Sequence, residues 1–473
     1  MKILLLNPPS ETLTAREGRC QNPGDWWKGF NYPQLSLACI GGILEQSGFK
    51  PKLIDGVATG MSVDELLNIV SVGYDIIIMN TSTVSIDSDM ETIKKIKIMS
   101  PATIIAAFGT HLTVLHNEIL KSNPALDVVI RGEPEMTALE LCQAIRDSKN
   151  FLKVKGTSAQ KDSKIYVNKT REWIEDLDSL PWPARHLLPN NLYYDFYLNR
   201  RHTLVQTARG CPFQCIFCVA RIYYGDQSRF RSPKSVLDEI EFEVVKNGFK
   251  AVTFWADTFT LKRDFVMELC KGLIDRKIDI KWFANSRAGT IDMEMLKLMK
   301  KSGCVGLSIG IESGVQELLD VAKKGTTIPM IRDSVRMIKD SGINVITSFL
   351  CGLPGETKET FKKTVDFAKE LNPDFATFNP LIPYPGTELY DIVNGKNMIT
   401  STEWNKYACG GYTSVLRTEE LSTEELNKLI RNAYRSFYLK PSYVFSVLKK
   451  IKSPEQFFRW FVAGANFLKH NAF

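Results

Sequence analysis

Arg209-Gly210-Cys211-Pro212-Phe213-Gln214-Cys215-Ile216-Phe217-Cys218 places three cysteines in a C-x3-C-x2-C run. Thiolates at this spacing can ligate three irons of a [4Fe-4S] cluster, which leaves the fourth iron open to a reactant. Zinc is the competing reading, but a structural zinc site takes four ligands, commonly two C-x2-C pairs or one pair with two histidines. Here the nearest further candidate, His202, precedes the run. A disulfide framework fits less well, because Cys20, Cys39, Cys142, Cys270, Cys304, Cys351 and Cys409 stand singly in apolar or helical contexts.

Downstream of this run, strand-length apolar segments recur at 204–207, 251–255, 281–284, 306–311, 344–350 and 375–381, each followed by a helix-like stretch. Such repetition predicts a partial (β/α) barrel of six units, whose reactive groups sit at the carboxyl ends of the strands. The cysteine run follows the first strand. Asp257 and Thr258 end the second, Asn285, Ser286 and Arg287 the third, Glu312 and Ser313 the fourth, and Gly352-Leu353-Pro354-Gly355-Glu356 the fifth. That last Pro-Gly pair reads as a turn before a helix capped by Glu356 and Thr357, and it is expected to shape the pocket floor.

Upstream, residues 1–150 alternate strands at 3–6, 52–54, 75–79, 103–108 and 127–130 with helical patterns at 35–46, 63–70, 90–99 and 134–145. This predicts an α/β domain with a doubly wound parallel sheet, which binds ligands outside the carboxyl ends of its strands. The loops so placed are Asn7-Pro8-Pro9, Asn80-Thr81-Ser82-Thr83, Gly109-Thr110-His111 and Arg131-Gly132-Glu133. No G-x-G-x-x-G follows the first strand, which argues against a nicotinamide-binding domain. A bridge at 151–200 holds a hairpin at 152–155 and 164–167, then the proline-rich Leu177-Asp178-Ser179-Leu180-Pro181-Trp182-Pro183. The expected organisation is thus 1–150, the bridge, a barrel over 201–390 and a helical tail over 391–473.

Composition is that of a globular protein: 473 residues, 44% hydrophobic and 24% charged. The chain contains no apolar run of membrane-spanning length, and the N-terminal run ends in Asn7-Pro8-Pro9 without a small-residue cleavage site. It reads as a strand, and the implied cluster makes a reducing cytoplasm the expected location. A net charge of +7 is too modest to argue for nucleic acid. The basic, aromatic C-terminus contains Phe437-Tyr438-Leu439-Lys440, Lys449-Lys450-Ile451-Lys452 and Phe457-Phe458-Arg459-Trp460-Phe461. It either packs on the preceding domain or lies at the periphery of an anionic membrane. Cys409, the tail's one cysteine, is a candidate catalytic thiol, and the lack of others argues against a second cluster.

The cysteine run, with Phe217 before its third cysteine, resembles the signature of the radical S-adenosylmethionine superfamily. The resemblance implies that S-adenosylmethionine chelates the open iron and is cleaved to a deoxyadenosyl radical. It implies Asp257 near the methionine ammonium, Arg287 near the carboxylate, Glu312 and Ser313 near ribose or carboxylate, and Phe217, Leu381 and Ile382 against adenine, with Thr258 and Ser286 in the same pocket. The N-terminal region resembles the cobalamin-binding domain of cobalamin-dependent members, through Asn7-Pro8-Pro9, Tyr32-Pro33-Gln34-Leu35-Ser36-Leu37, Phe108-Gly109-Thr110-His111 and Val129-Ile130-Arg131-Gly132-Glu133-Pro134-Glu135. On this reading Asn7, Pro8, Thr81, Ser82, Thr83, Gly109, Thr110, His111, Arg131, Gly132 and Glu133 contact cobalamin. None of the five histidines lies in an Asp-x-His-x-x-Gly motif, which implies a lower cobalt face without a histidine ligand.

Within that group the chain resembles the branch of anaerobic magnesium-protoporphyrin monomethyl ester cyclase and hopanoid-modifying enzymes. The implied reaction is methylation of an unactivated carbon through methylcobalamin. Radical cyclisation, oxidation or ring rearrangement without methyl donation is an alternative, as are an iron-sulfur sensor or electron carrier and an N-terminal domain that has lost its cofactor. The implied partners are a small, apolar or lipid-like substrate and an external donor of flavodoxin or ferredoxin type. Trp26, Trp27 and Tyr384 are aromatic candidates for the substrate face.

Overall fold

Ile3–Asn7 (β1), Ile76–Asn80 (β3) and Ile104–Phe108 (β4) are apolar at nearly every position, as strands covered on both faces must be. A computed structural model describes them within residues 1–10, 16–17, 32–195, 198, 200–409, 413–441 and 443–445. With Lys52–Asp55 (β2), Val128–Ile130 (β5), Thr157–Lys161 (β6) and Lys164–Val167 (β7) they form one sheet in the order β2-β1-β3-β4-β5-β6-β7. The first five strands are parallel, and β6 and β7 add on antiparallel. Leu35–Gln46 (α1) covers one face, while Gly56–Thr59 (α2) is a single turn after β2. Val63–Val70 (α3), Ile86–Met99 (α4) and Thr110–Ser122 (α5) cover the other face, and Glu135–Arg146 (α6) joins α1, giving separate apolar layers on the two sides.

Tyr194–Asp195 (β8) and Arg200–Gln206 (β9) begin the second sheet, and Ala208–Arg209 (β10) with Arg229–Phe230 (β11) forms a small ribbon. Ala251–Trp255 (β12), Lys281–Ser286 (β13), Cys304–Glu312 (β14), Asn344–Cys351 (β15) and Phe375–Pro380 (β16) complete the order β16-β15-β14-β13-β12-β9-β8. Six of these strands are parallel and β16 and β8 are edges, so this is a partial barrel. Its helices are Ala220–Tyr224 (α7), Pro233–Glu239 (α8), Arg263–Asp275 (α9), Met293–Lys301 (α10), Gln316–Val321 (α11), Ile328–Asp340 (α12), Lys358–Leu371 (α13) and Glu388–Gly395 (α14). Thr423–Tyr438 (α15) packs Leu426, Ile430, Ala433, Tyr434 and Phe437 onto the barrel core, and the Tyr438 hydroxyl donates to Ala376 O at 2.8 Å.

Three features differ from the sequence reading. Thr110 and His111 lie in the first turn of α5 rather than in a loop, because a helix whose N-cap is Gly109 and which buries little beyond Leu112 and Leu120 carries a weak apolar period. The hairpin of the bridge is β6–β7, it extends the N-terminal sheet, and Leu152 and Lys153 lie in a 3-10 turn before it. Glu356 turns inward, and the N-cap of α13 is Thr357 alone, accepting from Thr360 N at 3.2 Å. Among the described residues no helix is long and apolar enough to cross a membrane. Trp26, Trp27 and the basic aromatic tail beyond 445 lie outside the described residues.

Candidate functional site

The two sheets point their carboxyl ends at one another. Val84, after β3, packs with Val219 behind the cysteine run, Ile382 and Tyr384 after β16, and Tyr407 and Val415 of the C-terminal segment. Nearby, Glu17, Glu135, Arg209, Tyr224 and Trp255 surround a small polar cavity between the domains.

On the barrel side the cysteine run links β10 to α7. Cys211 is buried, Cys215 and Cys218 are partly exposed, and none of the three is in a disulfide. The loop is pinned by Ile216 N–H to Ala322 O at 3.2 Å and by Cys218 N–H to Cys215 O at 3.2 Å. Among the described residues no three His, Cys, Asp or Glu side chains converge on a single metal ion. A four-iron cluster instead spreads its thiolates over separate irons.

Arg287, at the end of β13, stacks its guanidinium 3.7 Å from the centre of the Phe213 ring and holds Nη1 3.9 Å from Cys215 Sγ. It is 6% exposed, and among the described residues Nη2 has no hydrogen-bond partner. Asp257 Oδ2 accepts from Gly210 N–H at 3.0 Å, so it braces the turn that opens the run. Thr258 is buried beside it, whereas the Ser286 hydroxyl is engaged with Thr260 at 2.7 Å.

Glu312 has φ +72°, a left-handed backbone rare for this residue type, and its carboxylate pairs with buried Lys324 at 2.7 Å. Gly310 makes room for that pair, since a Cβ there would lie 2.3 Å from Glu312 Oε1. Lys324 was not singled out from the sequence. Its position in a Lys-Lys-Gly turn looks like solvated charge, and only the fold buries it. Ser313 faces away, bonded to Thr364 of α13 at 3.1 Å and accepting from Val315 N. Phe217 packs on the barrel core; Leu381 belongs to that core, while Ile382 joins the interdomain cluster, so the two do not share one wall. Glu356 accepts from Gly352 N–H at 2.5 Å, and burial pushes its carboxyl up to about 8. Cys409 is partly buried in the C-terminal segment, next to Ala408 of the interdomain cluster.

On the N-terminal side most candidate groups already serve one another. Asn7 donates to Asp55 at 2.6 Å and accepts from Arg16 at 2.9 Å; Arg16 also donates to Pro8 O and pairs with Asp89 at 2.6 Å. The hydroxyls of Ser82 and Ser85 lie 2.7 Å apart, and Thr81 donates to Phe108 O at 2.9 Å. Thr83 is buried beside them. Arg131 donates to Thr157 O and Asn168 O, Gly132 N–H donates to Thr113 Oγ1 at 3.1 Å, and Glu133 is held by Arg209 and Arg229.

His111 is different. It is 2% exposed, its ring meets Trp404 edge-on at 4.6 Å, and among the described residues neither nitrogen has a hydrogen-bond partner. Burial lowers it to about 4, so the ring is neutral. Glu17 also went unnoticed in the sequence. It accepts from Ser36 N–H and Oγ at 2.9 and 3.0 Å, and burial raises its carboxyl to about 7.

Residues 205–368 match the family model of the Radical SAM superfamily. An uncharacterized methyltransferase of Pyrococcus horikoshii, PH0819, is 31% identical over 442 residues, 93% of each chain. An anaerobic magnesium-protoporphyrin IX monomethyl ester cyclase of Rubrivivax gelatinosus is 28% identical over 94% of this chain and 78% of its own. Among solved structures, the cobalamin-dependent S-adenosylmethionine radical enzyme OxsB superposes with a TM-score of 0.75 at 16% identity, covering 99% of this chain and 71% of OxsB. The methyltransferase TsrM of Kitasatospora setae gives 0.71 at 17% identity, covering 93% and 89%. The chain belongs to the radical S-adenosylmethionine superfamily, in the two-domain fold of its cobalamin-dependent members.

Proposed function

We propose that this enzyme is a cobalamin-dependent methyltransferase acting on an unactivated carbon of a small molecule. One observation carries the S-adenosylmethionine part of the reading: Arg287, buried beside Cys215, keeps a guanidinium nitrogen without a partner among the described residues. A buried unsatisfied donor on a cation is costly unless an anion completes it. The carboxylate of S-adenosylmethionine has the charge and the planar form that a guanidinium binds best.

The residues fit the implied groups. Cys211, Cys215 and Cys218 would hold a [4Fe-4S] cluster, and the ends of β1, β3, β4 and β5 would hold cobalamin, with His111 offering two nitrogens that have no partner among the described residues. When bound, these groups supply the electron that cleaves the sulfonium and the carrier of the methyl group. The protein's own part is to bind, orient and exclude water. Arg287 and Asp257 orient the methionine end, Asp257 being fixed by Gly210 N–H. The Glu312–Lys324 pair is a second charged contact at a strand end. Val84, Ile382, Tyr384 and Tyr407 form an apolar wall that suits an apolar part of the substrate and keeps water from the reacting carbon.

Relatives named as methyltransferases support methyl transfer. The cyclase relatives favour a second reading, radical cyclisation or oxidation of an apolar substrate without methyl donation. Either reading calls for an external donor of flavodoxin or ferredoxin type.

The test is reconstituted, chemically reduced protein given cobalamin and S-adenosylmethionine labelled with deuterium in its methyl group. Deoxyadenosine together with label on the corrin is the expected result. Deoxyadenosine without label on the corrin selects the second reading, and no deoxyadenosine sinks both, leaving a sensor or electron carrier.

A further inference from the structure

Arg209 and Arg229 stand directly opposite each other on the β10–β11 ribbon. Like charges at such a pair repel. Here neither is relieved by water, their side chains being 2% and 10% exposed. Both reach instead across the interdomain boundary to the acidic turn after β5. Arg209 meets Glu133 at 3.0 Å and Glu135 at 2.6 Å, and Arg229 grips Glu133 through both nitrogens at 3.0 Å. Two guanidiniums face two carboxylates, so the buried charge balances. Further donors are used as well, Arg209 Nε on Gln206 at 2.7 Å and Arg229 on Ile174 O at 2.5 Å and Tyr224 O at 2.7 Å.

The placement of Arg209 gives the contact a meaning beyond adhesion. Its side chain holds the N-terminal domain, while the next peptide N–H, that of Gly210, donates to Asp257 of the barrel. The residue after that is Cys211. Gly210 has φ +86°, and a Cβ there would lie 2.2 Å from Gln227 O, so the turn carrying these contacts is closely fixed. Trp173 packs over Gly132 and Gly225 beside it and lies beneath the Arg229 guanidinium.

We propose that the Arg209–Glu133–Glu135–Arg229 clasp sets the separation between the two cofactor sites, with Arg209 as its positioning residue. This rests on the function proposed above, because it supposes a corrin on one side and a cluster on the other. The fork geometry is what lysine could not reproduce: a point charge can neutralise one carboxylate but cannot fix two at once.

Pulsed electron paramagnetic resonance on the whole chain carrying cob(II)alamin and the one-electron-reduced cluster reads that separation through the coupling of their two unpaired spins. The wild type is expected to give one narrow distance distribution. Arg209→Gln and Glu135→Gln should broaden or displace it, and Arg209→Lys should fall between. An Arg209→Gln protein that binds both groups and keeps the wild-type distribution overturns the proposal. Glu135→Gln is the second variant if Arg209→Gln does not fold.

Protein that takes up no corrin refutes the function reading, and the clasp is then judged on the cofactor-free chain. There Arg209→Gln should raise hydrogen exchange roughly tenfold or more at residues 130–135 and 208–219 but not in the cores of the two sheets. Unchanged exchange in those segments overturns the clasp.

Discussion

The strand ends of the barrel and those of the N-terminal sheet face each other, yet they solve opposite electrostatic problems. On the barrel side a buried arginine is left with a nitrogen unpaired among the described residues, a site prepared for an anion. Across from it, Asn7, Arg16, Asp55, Ser82 and Asp89 belong to a hydrogen-bonded network, and among the described residues both nitrogens of His111 and Nε of Arg131 have no hydrogen-bond partner. The barrel site is charged before its reactant arrives. The N-terminal groups are polar and largely satisfy one another, which, on the function proposed above, suits a large cofactor held by shape and scattered hydrogen bonds.

The contrast can be broken at several points. The largest effect belongs to Cys215→Ala, which should reduce cluster iron and deoxyadenosine formation to background while cobalamin uptake persists, checked by iron analysis, product chromatography and corrin absorbance. If cobalamin uptake is lost too, the two sites are not separable in this way.

Arg287→Gln comes next. Charge-assisted hydrogen bonds contribute ~1.5–3 kcal/mol, so S-adenosylmethionine affinity should fall roughly 10- to 100-fold with the cluster intact, as equilibrium binding would measure.

A third probe is pH. Glu356 is held at about 8 in the fold against 4.5 when exposed, so the folded chain keeps a proton that the unfolded chain releases between those values. Stability should therefore fall as pH rises from 4.5 to 8, by at most ~1.4 kcal/mol per unit from this group. Glu356→Gln should flatten that slope in denaturant titrations compared at two pH values.

The smallest effect is expected for His111→Phe. Removing two unpaired buried nitrogens should raise the stability of the cofactor-free protein by ~1 kcal/mol or less, while cobalamin binding weakens by a few-fold. Melting temperature and corrin titration test the two signs separately. A variant that loses stability would mean that His111 is a packing residue and not a waiting contact.

The strand runs of both sheets were legible because a strand covered on both faces must be apolar throughout, as in β1, β3 and β4. The cysteine run was legible because its ligands lie within eight residues of one another. Helix α5 was not, since its cap is a glycine and its buried face is thin. Lys324 and Glu17 look like ordinary surface charges in the sequence, and burial alone makes them unusual. The inward turn of Glu356 was hidden for the same reason that its Pro-Gly context was informative: both a cap and a loop brace begin with the same residues.

Sequence by itself determined the order of the parallel strands, the three-cysteine run and the candidate residues at each strand end, because spacing along the chain is enough for all three. Tertiary structure alone decided which candidates are free and which are spent. Glu133 was expected as a ligand contact and is clamped by two arginines 76 and 96 positions away, and Asn7 is tied to Asp55 48 positions away. Whether a polar group can receive a ligand depends on what else reaches it in space, and separations of that size carry no local signal.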